Sequence, residues 1–248
     1  MEIQQRQCRT KNKIIIEKER KKDGTMTREE KKYFAKLEKA SKNNPMVRVE
    51  AAADFINRFL TQAFTTPRGI NGDGLCYLLS ALTGVAVADI SKKMSLADML
   101  NGSFSSQMEL DTEAGKFIVG DTINKYLYNS PMSAINIVEF MYSQKNGKDN
   151  LPDLENMIKE NADNFGNPDY RVWDGNKNPY MEVKNAHTTY QNLVNKLEPY
   201  KLSNEEIVSV FAMALGQTIV NVARVFPREM NCLNMSLKTV MFYAHMDV

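Results

Sequence analysis

The chain has 248 residues, of which 43% are hydrophobic and 25% charged, as is ordinary for one large globular domain or one domain with appended arms. Its three cysteines, Cys8, Cys76 and Cys232, are too few and too scattered for a disulfide framework. Residues 1–13 lack the apolar core of a secretory signal, and the longest apolar run, 208–226, is too polar to span a bilayer. We therefore expect a protein of the cytoplasm or of a virion, without membrane contact.

The charge is unevenly distributed along the chain. Residues 1–50 contain 15 Lys and Arg against 8 Asp and Glu, a net charge of +7, whereas the remaining residues contain 17 against 22, a net charge of −5. A basic arm on an acidic body can contact nucleic acid, dock on an acidic protein surface such as the body of a second copy, or stay solvated. Charge alone leaves these three roles open, and we favour protein docking.

Residues 1–45 are predicted to form the basic arm and a short helix. The arm has one apolar patch, Ile14-Ile15-Ile16, whose β-branched side chains favour a strand that adds to a partner's surface. Thr27 and Glu30 have the spacing of a capping box, which predicts a helix from there to about Lys42. Asn43-Asn44-Pro45 is expected to end that helix.

Residues 46–228 are predicted to form a helical body. Apolar residues recur at spacings of three and four, which is typical of helices that bury one face. The pattern predicts helices over residues 47–64, 75–82, 91–100, 111–128, 131–143, 152–161, 180–197 and 203–225, with a loop over 65–74 and an irregular segment over 164–179. Ser203 and Glu206 form a second capping-box pattern in front of the most apolar helix.

Residues 229–248, rich in Met and Asn, are compatible with a strand, a helix or an extended segment, and we expect an extended C-terminal tail. Strand candidates are few. The predicted fold class is all-α, an irregular multi-helix bundle with a basic N-terminal arm and that tail.

The segment Asp73-Gly74-Leu75-Cys76-Tyr77 raises the question of whether Cys76 is a catalytic nucleophile. It resembles the nucleophile motif of the ovarian-tumour-type cysteine proteases. The resemblance implies that Cys76 is the nucleophile, that Asp73 belongs to the oxyanion loop, and that a histidine near the C-terminus, on a strand, is the base. A helix N-terminus favours thiolate over thiol, and backbone N–H groups there can hold an oxyanion. The chain offers His187 and His245 as bases.

The alternative for Cys76 is an ordinary buried thiol behind a turn, because cysteine is among the most buried residue types. A nucleophile also needs a placed base, so we favour the buried thiol. Ala114-Gly115-Lys116 lacks the earlier glycine of a phosphate loop, and the Asp174–Asn178 stretch lacks the glycine and bidentate ligand of a calcium loop. We therefore predict no catalytic, cofactor-binding or metal-binding residues, and no cofactor.

The 15 methionines sit mostly at the spacing of helix core positions. The C-terminal cluster, Met230, Met235, Met241 and Met246, is harder to place in one core. Because Met adapts to varied surfaces, we predict that this cluster contacts a partner.

Three functions are carried forward in this order. The first is a non-enzymatic assembly subunit, expected to form a homo-oligomer, whose arms wrap neighbouring copies. A ring connecting the head and tail of a phage virion has this organisation. The second is a nucleic-acid-binding accessory protein using residues 11–42 for phosphate contacts. The third is a cysteine hydrolase using Cys76.

Overall fold

The computed structural model describes residues 26–101, 107–113, 115–164, 167, 183–225 and 232–246. The apolar patch of the predicted arm, Trp173 and the Asp174–Asn178 stretch lie outside the described residues. Within them, helices dominate and the strands form only two short antiparallel pairs. The all-α prediction is confirmed.

The chain divides into two compact units, Met1–Arg48 and Val49–Val248. The helices are α1 (Arg28–Ser41), α2 (Met46–Ala63), α3 (Gly72–Leu100), α4 (Asp121–Asn124), α5 (Ala134–Asn146), α6 (Leu154–Asp163), α7 (Val183–Leu197), α8 (Asn204–Val225) and α9 (Cys232–His245). A π-helical turn, Lys125–Asn129, continues α4, and 3₁₀ turns lie at Lys148–Asn150 and Glu198–Tyr200. The strands are β1 (Thr65–Thr66), β2 (Gly69–Ile70), β3 (Met108–Thr112) and β4 (Gly115–Val119).

Both predicted capping boxes are present. The Thr27 backbone N–H donates to the Glu30 carboxylate at 2.8 Å, and the Glu30 N–H donates to Thr27 Oγ1 at 3.2 Å. In front of α8, the Ser203 N–H donates to the Glu206 carboxylate at 2.7 Å, and the Glu206 N–H donates to Ser203 Oγ at 3.2 Å. Each pair satisfies two backbone donors that a helix N-terminus leaves without intrahelical partners.

Helix α3 is one continuous helix of 29 residues, so the prediction of a loop up to residue 74 and of two separate short helices is wrong. The helix begins where Asn71 Oδ1 accepts a hydrogen bond from the Gly74 N–H at 3.0 Å. It passes uninterrupted through Gly84, where a Cβ atom would lie 2.5 Å from the Val240 carbonyl oxygen. Gly84 is therefore the site of a close helix crossing and not of a turn.

The core of the larger unit is built around α3, which packs against α9, α8 and α7. Gly72–Ala97 and Asn204–Val222 are long and apolar enough to cross a membrane by length and composition alone. Within the protein, 94% of the first apolar window and 61% of the second is buried. Such helices are weak evidence for a membrane span, because the core helix of a globular protein has the same character.

A hairpin replaces the first half of the helix predicted over residues 111–128. Strands β3 and β4 pair from Met108 opposite Val119 to Thr112 opposite Gly115. Gly115 and Gly120 have φ angles of +126° and +142°, a region that favours glycine and that no α-helix uses. Some of the apolar residues whose spacing predicted a helix thus lie in β4, and the helix begins only at Asp121.

The C-terminal segment also differs from the prediction. Residues 232–245 form α9, a helix buried along much of its length, and not an extended tail. Phe117 of β4 meets Phe242 edge-to-face, with ring centroids 6.2 Å apart, and forms an isolated antiparallel bridge with Met246. The segment is therefore part of the core and ties the second hairpin to it.

Candidate functional site

The predicted nucleophile, Cys76, lies in the second turn of α3 and is fully buried. Its neighbour is the thiol of Cys232, the first residue of α9, which is 4% exposed. Both cysteines are free thiols. The structure therefore gives Cys76 a second thiol as its neighbour, near the N-terminal ends of two packed helices.

The contacts between α3 and α9 advance in the same direction along both helices. Cys76 meets Cys232, and eight residues further along α3 the backbone at Gly84 lies against Val240 and Ala244. Glycine permits this approach because any Cβ atom would overlap backbone atoms of α9. The crossing fixes how closely the two helices approach beyond the cysteines.

Two buried tyrosines reinforce the same contact. The hydroxyls of Tyr77 and Tyr243 lie 2.8 Å apart, in hydrogen-bond contact, and their rings pack edge-to-face at 81°. A buried hydroxyl lowers stability unless it is hydrogen-bonded. The hydrogen bond between these two hydroxyls therefore also fixes how α3 and α9 face each other.

The two thiols have different acidities. The hydrogen bond to Cys232 and burial raise the pKa of Cys76 well above its ordinary value, and the negative charge of Asp73 raises it further. The hydrogen bond from Cys76 lowers the pKa of Cys232, with a smaller contribution from the Ser236 hydroxyl, and these outweigh burial. The helix N-terminus was expected to favour the thiolate of Cys76, but the surroundings of this residue outweigh that effect.

His245, the base that the protease resemblance implies, lies far from the cysteine pair. It is the last residue of α9, thirteen residues after Cys232, which is on the order of 20 Å along the helix axis. Its Nδ1–H donates to the Ile118 carbonyl oxygen at 2.7 Å. Burial lowers the pKa of the imidazole, so the ring is neutral at physiological pH.

His187 lies on α7, one turn before Tyr190. The Tyr190 hydroxyl donates to the Asp89 carboxylate at 2.9 Å, and Asp89 is thirteen residues beyond Cys76 along α3. This contact associates α7 with the later part of α3. Asp73, expected in an oxyanion loop, lies in the first turn of α3, where its charge opposes ionisation of Cys76. The geometry thus does not assemble the cysteine-hydrolase site that the motif implied.

The described surface carries several large apolar side chains. Leu96 and Leu100, one turn apart at the C-terminal end of α3, are 58% and 79% exposed. Phe140 on α5 is 63% exposed, and Met132, just before α5, is half-exposed. Scattered exposed apolar residues are common, but these two leucines, one helical turn apart, lie on the same face of α3.

The described members of the methionine cluster predicted for a partner contact are divided between the core and the surface. Met241 is buried in α9, and Met235 and Met246 are only partly exposed. Met230 lies outside the described residues. An extended tail over 229–248 was predicted, whereas the observed helix over 232–245 places Met241 in the core.

Among the described residues, no three His, Cys, Asp or Glu side chains lie together in a way that could hold a metal ion. Gly115 and Lys116, considered for a phosphate loop, belong to β4. The pairing of Cys76 with Cys232 escaped sequence reasoning because 155 residues separate the two positions. The one signal that could have indicated it is that each cysteine stands near the start of an apolar segment.

No protein-family model matches the chain, and neither does any curated protein or solved structure. A functional interpretation therefore depends on the residues and contacts of the chain itself.

Proposed function

We propose that the protein is a non-enzymatic structural subunit of a homo-oligomer, in which the basic N-terminal unit of one copy docks on the acidic body of the next. Such a contact is heterologous, because different surfaces of the two copies meet. Heterologous contacts close into rings or extend into filaments. A ring connecting the head and tail of a phage virion is an assembly of this kind.

The division of charge between the two compact units carries this proposal. Met1–Arg48 contains 15 Lys and Arg against 7 Asp and Glu, a net charge of +8, and Val49–Val248 contains 17 against 23, a net charge of −6. The boundary between the units coincides with the change of sign. Opposite net charges steer association and suppress the wrong pairing of like surfaces.

Helix α1 supports an electrostatic docking role for the first unit. Lys31, Lys32, Lys36 and Lys39 all have exposed side chains. Partial desolvation of exposed charges at the rim of an interface costs little free energy. Such charges act mainly on the rate of association and on the register of the two partners. Leu96 and Leu100 supply apolar area that charge alone does not provide, because burial of apolar surface is the main source of association energy.

The test is the mass of the full chain in solution by light scattering, at about 0.05 M and about 1 M salt, since the Debye length falls several-fold over that range. We expect an oligomer at low salt that dissociates at high salt. The triple variant Lys32→Glu/Lys36→Glu/Lys39→Glu, which lowers the charge of the first unit by six, is expected to be monomeric at both. The matched control replaces the same three lysines with arginine and is expected to assemble like the wild type.

A monomer at both salt concentrations, over the whole accessible range of protein concentration, would contradict the proposal. An oligomer that the charge-reversed variant retains would also contradict it, because the charge division would then play no part. Binding of the monomer to nucleic acid at low salt would instead support the other role of a basic arm.

A further inference from the structure

We propose that the outer edge of β3 receives the basic segment 11–18 of a second copy as an added strand. This inference rests on the proposed function, since it names the surface on which the N-terminal unit of a neighbouring copy docks. The segment contains Ile14-Ile15-Ile16 and lies outside the described residues, whereas β3 is described along its whole length. Residues 19–25 join the segment to the described chain at Met26 and can span up to ~25 Å, which allows it to reach another copy.

Strand β3 has an open edge within the described part of the chain. It pairs with β4 along all five of its residues, from Met108 to Thr112. In an antiparallel pair, alternate residues point their N–H and C=O groups away from the partner, so the outer edge of β3 offers donors and acceptors. Among the described residues, no second strand pairs with that edge. Such an edge is the template to which an extended peptide adds.

Side chains alternate between two unlike faces along β3. Met108 and Leu110 share one face, on which Leu110 lies opposite the buried Phe117. Met108 is 59% exposed and Leu110 is partly exposed, so this apolar face is incompletely covered. Glu109 and Asp111 share the other face, with side chains 64% and 83% exposed. The strand that fits this edge best is therefore apolar on one face and basic on the other.

The basic segment has this alternation. In an extended conformation, Ile14 and Ile16 share one face. Lys11 and Lys13 share the other face with Glu17, which leaves that face net positive. Alignment of the two apolar faces places the lysines beside the acidic face of β3, whereas a shift by one residue places the isoleucines there. The alternation of side chains thus selects one register parity for the added strand.

Charge favours this segment over a second copy of β3 as the added strand. Lys116 Nζ lies 3.9 Å from a Glu109 carboxylate oxygen and 3.7 Å from an Asp111 carboxylate oxygen, so one ammonium group is shared by two carboxylates. Residues 107–119 carry three acidic side chains against that single lysine. Residues 9–22 carry seven Lys and Arg against two Glu. Pairing of two β3 edges brings like charges together, whereas pairing with the basic segment brings opposite charges together.

The first experiment locates the contact in the full-length protein. Isotope-labelled and unlabelled chains are mixed in high salt, returned to low salt and treated with a carbodiimide, which joins amines to carboxylates in contact with them. Mass spectrometry of the peptides then identifies each link. We expect links from Lys11 or Lys13 to Glu109 or Asp111, and we expect some of them to join a labelled to an unlabelled peptide, because the two chains are different copies.

The second experiment measures the contribution of the acidic face of β3 by light scattering on dilution, at about 0.15 M salt, where the Debye length is about 8 Å. Glu109→Lys/Asp111→Lys is expected to raise the protein concentration of half-dissociation about tenfold or more. The matched control, Glu155→Lys/Asp163→Lys, makes the same change of charge at two exposed residues of α6. We expect it to shift dissociation less than about threefold, since distant charges are screened.

A charge swap completes the test. Lys11→Glu/Lys13→Glu is expected to weaken assembly as much as the β3 variant does. Combined with Glu109→Lys/Asp111→Lys, it is expected to restore assembly, because the two faces are again oppositely charged. If circular dichroism shows that the β3 variant does not fold, the variant in the segment and the cross-links of the wild type still decide the question.

An oligomer in which Lys11 and Lys13 are linked only to other carboxylates would overturn this inference and leave the proposed function standing. Links confined to chains of one isotope would also overturn it, because the segment would then pair within its own chain. Equal weakening by the β3 variant and its matched control would show that general charge, and not the edge of β3, guides docking. A monomer under all conditions would contradict the proposed function and this inference together.

Discussion

The two ends of α3 both carry apolar side chains but lie in opposite environments. At the N-terminal end, Cys76 and Tyr77 are buried against α9, while at the C-terminal end Leu96 and Leu100 are 58% and 79% exposed. Both ends carry apolar side chains, and their packing partners differ. The N-terminal end of α3 therefore stabilises the fold, whereas the C-terminal end is exposed to contact with another molecule.

The strongest test of the buried end is the crossing at Gly84. In Gly84→Ala, the new Cβ atom would lie 2.5 Å from the Val240 carbonyl oxygen and 2.7 Å from Tyr243 Cβ. We expect a loss of ~3 kcal/mol or more in the free energy of unfolding, measured by chemical denaturation, because backbone must move.

Gly216→Ala is the matched control for this substitution, since it is also a mid-helix glycine. Its Cβ atom would lie 3.0 Å from Met141 Cβ and Sδ, where a flexible side chain can partly yield. The gain in helix propensity offsets part of the strain, so a net change within ~1 kcal/mol is expected. Equal losses at both positions would show that the α3–α9 crossing is no tighter than the α5–α8 contact.

The pH dependence of stability should report on His245 at the far end of α9. Burial lowers the pKa of its imidazole, so the unfolded chain binds a proton more readily as the pH falls below about 6.5. Stability is then complete above that pH and decreases as the pH falls towards the folded-state pKa, with a slope of at most ~1.4 kcal/mol per pH unit.

The measurement compares thermal unfolding of wild type and His245→Asn between about pH 5 and pH 7.5, where the imidazole titrates. Asn can still donate to the Ile118 carbonyl but does not titrate, so the difference in stability between the two proteins should shrink or reverse at low pH. Burial raises the pKa of Glu139, which gives a slope of the opposite sign in both proteins and cancels in the comparison. A pH-independent difference would place His245 in a solvated site.

The tyrosine pair tests the α3–α9 contact with smaller changes. Tyr77→Phe and Tyr243→Phe should each cost ~1 kcal/mol, because each removes one member of a buried hydroxyl pair. The double variant should cost less than the sum, since both polar groups are then gone. Additive losses in denaturation would mean that the two hydroxyls do not depend on each other.

The exposed end of α3 should give the smallest effect on stability. Leu96→Gln and Leu100→Gln should change the free energy of unfolding by at most ~0.5 kcal/mol, as is usual for exposed positions. If this face contributes to assembly, the same variants should shift dissociation of the oligomer to higher protein concentration. A large loss of stability in a monomer would show that both leucines are buried.

Sequence reasoning was most successful where the signal is local. Two capping boxes and the apolar periodicity of α2 and α8 gave helices whose ends lie within two residues of those observed, because caps and amphipathic faces are encoded by neighbours in the chain. The same reasoning recognised the fold class.

It failed where the deciding contact lies far away in the chain. The sequence predicts two short helices, over 75–82 and 91–100, but α3 is continuous between them. The missing side chain of Gly84 permits close packing of α9, which lies more than 150 residues later in the chain. The β3–β4 hairpin and α9 depend on one another through Phe117, Ile118 and His245, and neither segment alone reveals the pairing. The Cys76–Cys232 pair has the same origin, since only the packing of α3 on α9 brings the two thiols together.

Packing of α3 on α9 encloses Cys76 near Cys232, away from solvent and from His245. It is tested most directly by the rate at which a bulky maleimide modifies Cys76 in the folded protein at neutral pH, with the urea-unfolded chain as the reference. We expect Cys76 to react only as the protein unfolds. We also expect His245→Asn to leave the rate of any residual reaction in the folded protein unchanged. Rapid modification of Cys76 in the folded protein, lost in His245→Asn, would contradict the account.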